Sequence, residues 1–157
     1  MNNKYILSIK GLQVYDDQDD NTDIRLTTEA DFENQDGVYF IDYEESEITG
    51  LQGTKTMIEV GENYVSLQRK GNVNTHMLFM KDRKTSTYYN TPYGDLTIGI
   101  FTDKLDIDVN DDGGKINVDY YLDVNSSTSS KNNFEIEIRR HNIWQTLFQK
   151  QKNKFKM

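Results

Sequence analysis

From Ile116 to Val124 every second residue is apolar: Ile116, Val118, Tyr120, Leu122 and Val124 share one parity, and Asn117, Asp119, Tyr121 and Asp123 the other. A repeat of two sorts these residues onto opposite sides of an extended chain, whereas a helix would scatter both sets around its axis. The segment therefore reads as a strand with one buried and one wet face, the pattern of antiparallel sheets. Phe134, Ile136 and Ile138 repeat it against Glu135, Glu137 and Arg139, and so do Tyr5, Leu7 and Ile9 and the run Ile24, Leu26, Thr28, Ala30 and Phe32. Shorter versions are Val65 with Leu67 and Met77 with Phe79.

Turn formers separate these runs: Asp16 to Asn21, Asp36-Gly37, Gly61-Glu62-Asn63, Gly71-Asn72, Pro92-Tyr93-Gly94, Gly113-Gly114 and the serine-rich Asn125 to Asn133. This spacing predicts about eight to ten strands joined largely by hairpins. One irregularity is readable. Leu96, Ile98 and Ile100 are even, Leu105, Ile107 and Val109 odd, so an extra residue between Phe101 and Lys104 must be absorbed by a β-bulge or sharp bend. So many strands in 157 residues favour closure, because an open sheet would leave long edges of unpaired backbone. The expected fold is all-β: one closed, mainly antiparallel barrel over residues 1–140, followed by a tail over 141–157. In that tail Ile143, Trp144, Leu147 and Phe148 recur at helical spacing, which predicts an amphipathic helix or a tail able to become one.

Composition narrows the chemistry. With no Cys and only two His, His76 and His141, a disulfide framework, a thiolate zinc site, a Cys nucleophile and a Ser–His triad all lack material. No apolar run reaches the roughly 20 residues of a membrane span, and the N-terminus lacks a signal-peptide h-region, so the expected compartment is the cytoplasm. The net charge of −8 argues against nucleic acid as a partner. That total hides an asymmetry: Lys150, Lys152, Lys154 and Lys156 give the tail +4 with no acid, which leaves −12 on residues 1–140.

The segments Val38-Tyr39 … Tyr43-Glu44-Glu45, Arg69-Lys70-Gly71, Met77-Leu78-Phe79, Tyr88-Tyr89-Asn90-Thr91-Pro92-Tyr93-Gly94 and Thr102 stand in an order and spacing that resembles the YwiB-like family of uncharacterised bacterial proteins. The resemblance implies a closed calycin-like (lipocalin-like) barrel in the cytoplasm with no assigned activity. The tail from His141 extends beyond the part that carries it.

Among candidate functional residues, Arg69 has the parity of Val65 and Leu67, so a regular strand turns its guanidinium toward the core side, where a desolvated cation needs a partner. Asp42 and Glu44 share the parity of Val38 and Phe40, which offers either as an internal counter-charge. The bland alternative is an Arg69 that caps the barrel mouth in water. Tyr39, Tyr43, Tyr64, Tyr88, Tyr89 and Tyr93 supply rings with polar tips suited to a pocket, and tyrosine is also simply a good strand residue. The expected ligand site is thus Tyr39, Tyr43, Glu44, Arg69, Tyr89 and Tyr93, with no cofactor and no metal.

Asp108, Asn110, Asp112, Gly113 and Asp119 match a calcium-loop spacing, but predicted strands flank them and Lys115 stands where an apolar residue is usual, so an acidic hairpin turn is the better reading. His76, opposite in parity to Met77 and Phe79, reads as an exposed strand residue. The leading expectation is a non-enzymatic barrel that binds a small anionic or amphiphilic molecule. Competing with it are a packed interaction module acting through the basic tail, including a homodimer, and a paired-carboxylate hydrolase.

Overall fold

The alternating runs form ten strands in a computed structural model that describes residues 5–15, 22–45, 52–71, 74–91 and 94–141. They are β1 (Tyr5–Tyr15), β2 (Thr22–Gln35), β3 (Val38–Glu44), β4 (Thr54–Val60), β5 (Tyr64–Gly71), β6 (Thr75–Met80), β7 (Lys84–Thr91), β8 (Gly94–Asn110), β9 (Gly113–Val124) and β10 (Ser127–Arg140). Every ladder is antiparallel, in the order β6-β5-β4-β3-β2-β1-β10-β9-β8-β7. The first and last strands of the chain pair along their length, from Tyr5 opposite Arg140 to Tyr15 opposite Ser130.

The two strands left at the ends of that order, β6 and β7, are brought together at the predicted irregularity. The β8–β9 register shifts between Thr102 and Lys104, so Asp103 is the extra residue. Beside it the backbone of Thr102 turns to the β6–β7 turn: its carbonyl accepts from Asp82 N at 2.8 Å, its N–H donates to Arg83 O at 3.3 Å, and it forms a parallel bridge with Lys81. Thr85 Oγ1 adds a hydrogen bond to Leu78 O at 2.6 Å. The bulge thus re-aims β8 and clips the sheet into a nearly closed barrel.

Inside, Leu7, Ile41, Ile58, Val60, Val65, Phe79, Ile100, Ile116, Val118 and Ile138 are buried. Phe79 meets Tyr120 and Phe134 edge-on, both with centroids 5.0 Å away, a favoured aromatic geometry. Asp36-Gly37 forms the expected tight turn, with φ of 54° and 90°, the left-handed pair that matches the twist of a hairpin.

Three local expectations are corrected. The β8–β9 turn is Asp111–Asp112, and Gly113 and Gly114 open β9 instead. Gly114 has φ of 150° and no room for a Cβ beside the Asp108 carbonyl. The serine-rich segment turns only at Asn125–Ser126. From Ser127 it is strand, because β9 pairs its backbone, and small Ser130 and Asn132 fit inside the barrel. The third correction concerns β3, whose inward parity is that of Tyr39, Ile41 and Tyr43, with Asp42 and Glu44 exposed. Asp16 to Asn21 and the tail after His141 lie outside the described residues.

Candidate functional site

Two interior regions could carry function, one near each end of the barrel. In the first, cross-strand register places Tyr43, Thr56, Arg69 and Thr75 side by side on β3, β4, β5 and β6. Glu45, one residue past β3, keeps the inward parity of Tyr43, and its carboxylate is almost fully buried. It accepts a hydrogen bond from Thr56 Oγ1 at 2.6 Å and faces Arg69 Nε at 3.7 Å. The Arg69 side chain is 26% exposed, so it lies between the two alternatives read from the sequence: inward-facing, but still reached by water.

Burial raises the Tyr43 phenol far above its ordinary range, and the charge of Glu45 and a hydrogen bond to it push the same way; Arg69 and Thr56 pull back more weakly. Burial likewise pushes Tyr120 on the facing wall up to about 12, against a weaker pull from Arg69. Both phenols are therefore neutral at ordinary pH and serve as hydrogen-bonding groups. Tyr120 stands in a second register row with Thr102 and Asn132. Asn132 Nδ2 donates to Ser130 Oγ at 2.9 Å. Arg69 Nε, Thr75 Oγ1, Thr102 Oγ1 and Asn132 Oδ1 are buried without a hydrogen-bond partner among the described residues. This is a hydroxyl-rich interior that holds an Arg69–Glu45 pair between the rings of Tyr43 and Tyr120.

The second region arises from unequal strand lengths. Strands β4, β5 and β6 span 7, 8 and 6 residues, whereas β8, β9 and β10 span 17, 12 and 14. The long strands overhang the short ones at the end that carries the turns 36–37, 61–63, 81–83 and 111–112. Beneath the overhang lies a cleft of about 1080 Å3, bounded by β2, β1, β10, β9 and β8 and, from the facing wall, by Glu62, Asn63 and Lys81. Its floor is the inward aliphatic row Leu26, Ile9, Ile136, Ile116 and Ile107, with Leu105 beside it. Ile9, Leu105, Ile107 and Val109 are only half-buried. At the same end of the barrel, outside the cleft lining, Asp111 accepts from Asn34 Nδ2 at 2.8 Å and from the Tyr39 hydroxyl at 2.9 Å. These bonds hold the Asp111 carboxyl below its ordinary range and push the Tyr39 phenol up.

The sequence-predicted residues thus separate. Tyr43 and Arg69 meet inside the barrel, while Tyr39 stands at the opposite end against Phe32, 5.2 Å between stacked rings. Glu44 points outward, and its assigned place as counter-charge belongs to Glu45. The Tyr89 side chain and all of Tyr93 lie outside the described residues. Glu45 escapes the parity of Val38 and Phe40; the signal that finds it is Tyr39-x-Ile41-x-Tyr43-x-Glu45. The cleft residues carry no motif, since aliphatic alternation marks core and pocket floor alike.

Other candidates resolve into structural roles. Asp112 N donates to Asn110 Oδ1 at 2.8 Å, and Arg140 pairs with Asp112 at 3.1 Å, as an acidic hairpin requires. No group of three or more His, Asp or Glu among the described residues could hold a metal ion. His76 is exposed, its Nε2 2.7 Å from Ser66 Oγ. Asp31 and Asp42 face each other across β2 and β3 on the outer surface, and burial, aided by the charges of Asp31 and Glu33, raises the Asp42 carboxyl. No helix among the described residues is long and apolar enough to cross a membrane.

The described family model that matches residues 7–136 is "Domain of unknown function (DUF1934)". The chain is 27% identical over 110 residues to the uncharacterized β-barrel protein YwiB of Bacillus subtilis (strain 168), covering 70% of this chain and 75% of that protein. The crystal structure of the YwiB protein from Bacillus subtilis superposes with a TM-score of 0.71 at 19% identity, over 89% of this chain and 93% of that one, which establishes the shared barrel fold.

Proposed function

We propose that this chain, which belongs to the DUF1934 family of domains of unknown function, is a non-enzymatic barrel that binds a small amphiphilic molecule beneath the overhang of its long strands. The observation that carries this reading is the cleft of about 1080 Å3 with an aliphatic floor and the charged Glu62 and Lys81 at its facing wall. That volume is on the scale of small-molecule sites, and thirteen of the nineteen lining residues are polar or charged, Lys10, Arg25, Lys115 and Glu135 among them, which suits a molecule with a polar head. An apolar chain on Ile9, Leu105 and Ile107 would lose its water, while a polar head would stay at the rim. A purely anionic ligand at Arg69 has less support, because the buried Glu45 carboxylate already balances that cation. The interior is used here as calycin-like barrels use theirs, in a cytoplasmic setting.

The test is a titration of the full chain with dodecanoate, followed by native mass spectrometry. One bound molecule is expected, lost on Ile107→Asp with the β circular dichroism unchanged and retained on Arg69→Lys. Failure to bind single-chain amphiphiles, or loss of binding with Arg69→Lys alone, overturns the reading.

A further inference from the structure

We infer that β7 is an interaction edge, which pairs antiparallel with β7 of a second copy of this chain to give a two-fold dimer with one sheet continuous across it. No residue of β7 lines the proposed ligand cleft, so the two readings stand or fall separately.

The barrel wall has a seam where β6 and β7, the two ends of the sheet order, lie side by side without a ladder between them. On the β6 side two edge carbonyls are capped: Thr85 Oγ1 donates to Leu78 O at 2.6 Å and Arg83 N to Met80 O at 3.1 Å. The β7 side lacks such caps. Arg83 O accepts from Thr102 N on β8, and backbone groups alternate in direction along a strand, so Thr85 and Thr87 face Ile100 and Ile98 of β8. Ser86 and Tyr88 therefore turn their backbone groups away from β8, and no hydrogen bond among the described residues meets them there.

Exposed edges are normally blunted by Pro, a bulge or a charge in mid-strand. β7 has no Pro, its ladder with β8 runs without a shift, and its one charge, Lys84, stands at the first position. Its Thr and Tyr residues favour strand pairing. Tyr88, 77% exposed, is the most exposed large hydrophobic among the described residues.

Charge selects the occupant. One end of β7 follows Lys81, Asp82 and Arg83 and starts with Lys84, net +2; the other end leads to Asp95, opposite Asn90. Lys84 is already held by Asp123 at 2.7 Å, which leaves the exposed Arg83 for an outside carboxylate. An antiparallel second copy brings the Arg83 end of each chain to the Asp95 end of the other, twice by symmetry. With Thr87 on the two-fold axis, Ser86 stands opposite Tyr88 and Lys84 opposite Asn90 of the second copy. Edge-facing residues then meet one another and no like charges oppose.

Sedimentation equilibrium of the full chain over a concentration series is expected to show a monomer–dimer equilibrium. Ser86→Pro removes an N–H that points away from β8, so it should weaken the dimer about tenfold or more while the β circular dichroism is unchanged. Tyr88→Lys, which leaves the backbone intact, should weaken it as well. Because the chain has no Cys, a single introduced cysteine reports on the axis. Thr87→Cys would meet its own copy in a non-hydrogen-bonded pair, with Cα atoms about 4.5 Å apart, within disulfide range. It should cross-link under mild oxidation, whereas Tyr88→Cys, opposite Ser86, should not. A monomer throughout the series overturns the inference. So does a dimer that is indifferent to Ser86→Pro and Tyr88→Lys, or one that fails to cross-link through Thr87→Cys, because its interface then lies elsewhere.

Discussion

The two ends of the barrel are built from the same alternating strands and reach opposite outcomes. Around Arg69, Tyr43, Glu45 and Thr56 on one wall and Tyr120 on the facing wall leave the side chain 26% exposed. Around Ile107 one wall stops at the turn 61–63 while β8 runs on to Asn110, so identical inward aliphatics are left half-covered. Alternation decides which way a side chain points; relative strand length decides whether anything meets it there. A packed core and a binding cleft can therefore share one hydrophobic pattern.

The sharpest way to break the comparison is to truncate at each end. Phe79→Ala, which removes a ring 1% exposed and in contact with Tyr120 and Phe134, should cost about 3–5 kcal/mol in urea unfolding. Ile107→Ala on the open shelf should cost about 1 kcal/mol, since half the area is already in water. Equal losses would mean that the shelf is covered as tightly as the core.

Glu45→Ala should cost about 2–3 kcal/mol, because the Arg69 cation then keeps its buried Nε without a counter-charge. Glu45→Gln, which retains an acceptor for Thr56 Oγ1, should recover part of that loss; if both substitutions are neutral, the guanidinium is fully solvated and the packed end is not closed.

Alkaline titration separates the ends again. Tyr43 and Tyr120 have folded pKa values above the free phenol value near 10. Below pH of about 10 both states are protonated and stability is unaffected; above it the unfolded chain releases protons that the folded chain retains, so stability falls as pH rises toward 12. Tyr120 alone should remove about 2–3 kcal/mol across that window. Tyrosinate absorbance should show these two phenols ionising only with unfolding, and early ionisation of Tyr120 would contradict its burial.

The smaller effects sharpen the picture. Thr102→Val removes a buried hydroxyl that has no partner among the described residues and should stabilise the fold by about 1 kcal/mol. Its backbone bonds to Asp82 and Arg83 remain. A destabilised variant would show that the hydroxyl is hydrogen-bonded in solution. Asp42→Asn relieves the facing carboxylate of Asp31 and should gain a few tenths of a kcal/mol in the same assay.

Much of this architecture is legible in the sequence, and the reasons are specific. The parity switch across Phe101 to Lys104 locates the bulge at Asp103, because period two leaves no other way to keep both runs inward. The barrel follows from strand number and the cost of edges, and the inward Arg69 from its parity. The error at β3 is equally instructive. Val38-Tyr39-Phe40-Ile41 is apolar at both parities, so the choice of face rested on local composition, whereas pairing with Thr56 and Ile58 on β4 decides it. Strand overhang has no local signature at all, since it depends on where β4, β5 and β6 stop relative to strands far away in sequence. The sequence thus groups Tyr39 with Arg69, which the structure separates, and carries no sign of the aliphatic cleft.

Methyl-resolved NMR of the full chain, titrated with dodecanoate, addresses the division between the two ends most directly. Ile9, Leu105, Ile107 and Val109 should shift and saturate at one equivalent, while Val65 and Ile41 in the packed interior stay where they are. Shifts centred on Val65 and Ile41, or none anywhere, would contradict a barrel that is closed at Arg69 and open to a ligand beneath its long strands.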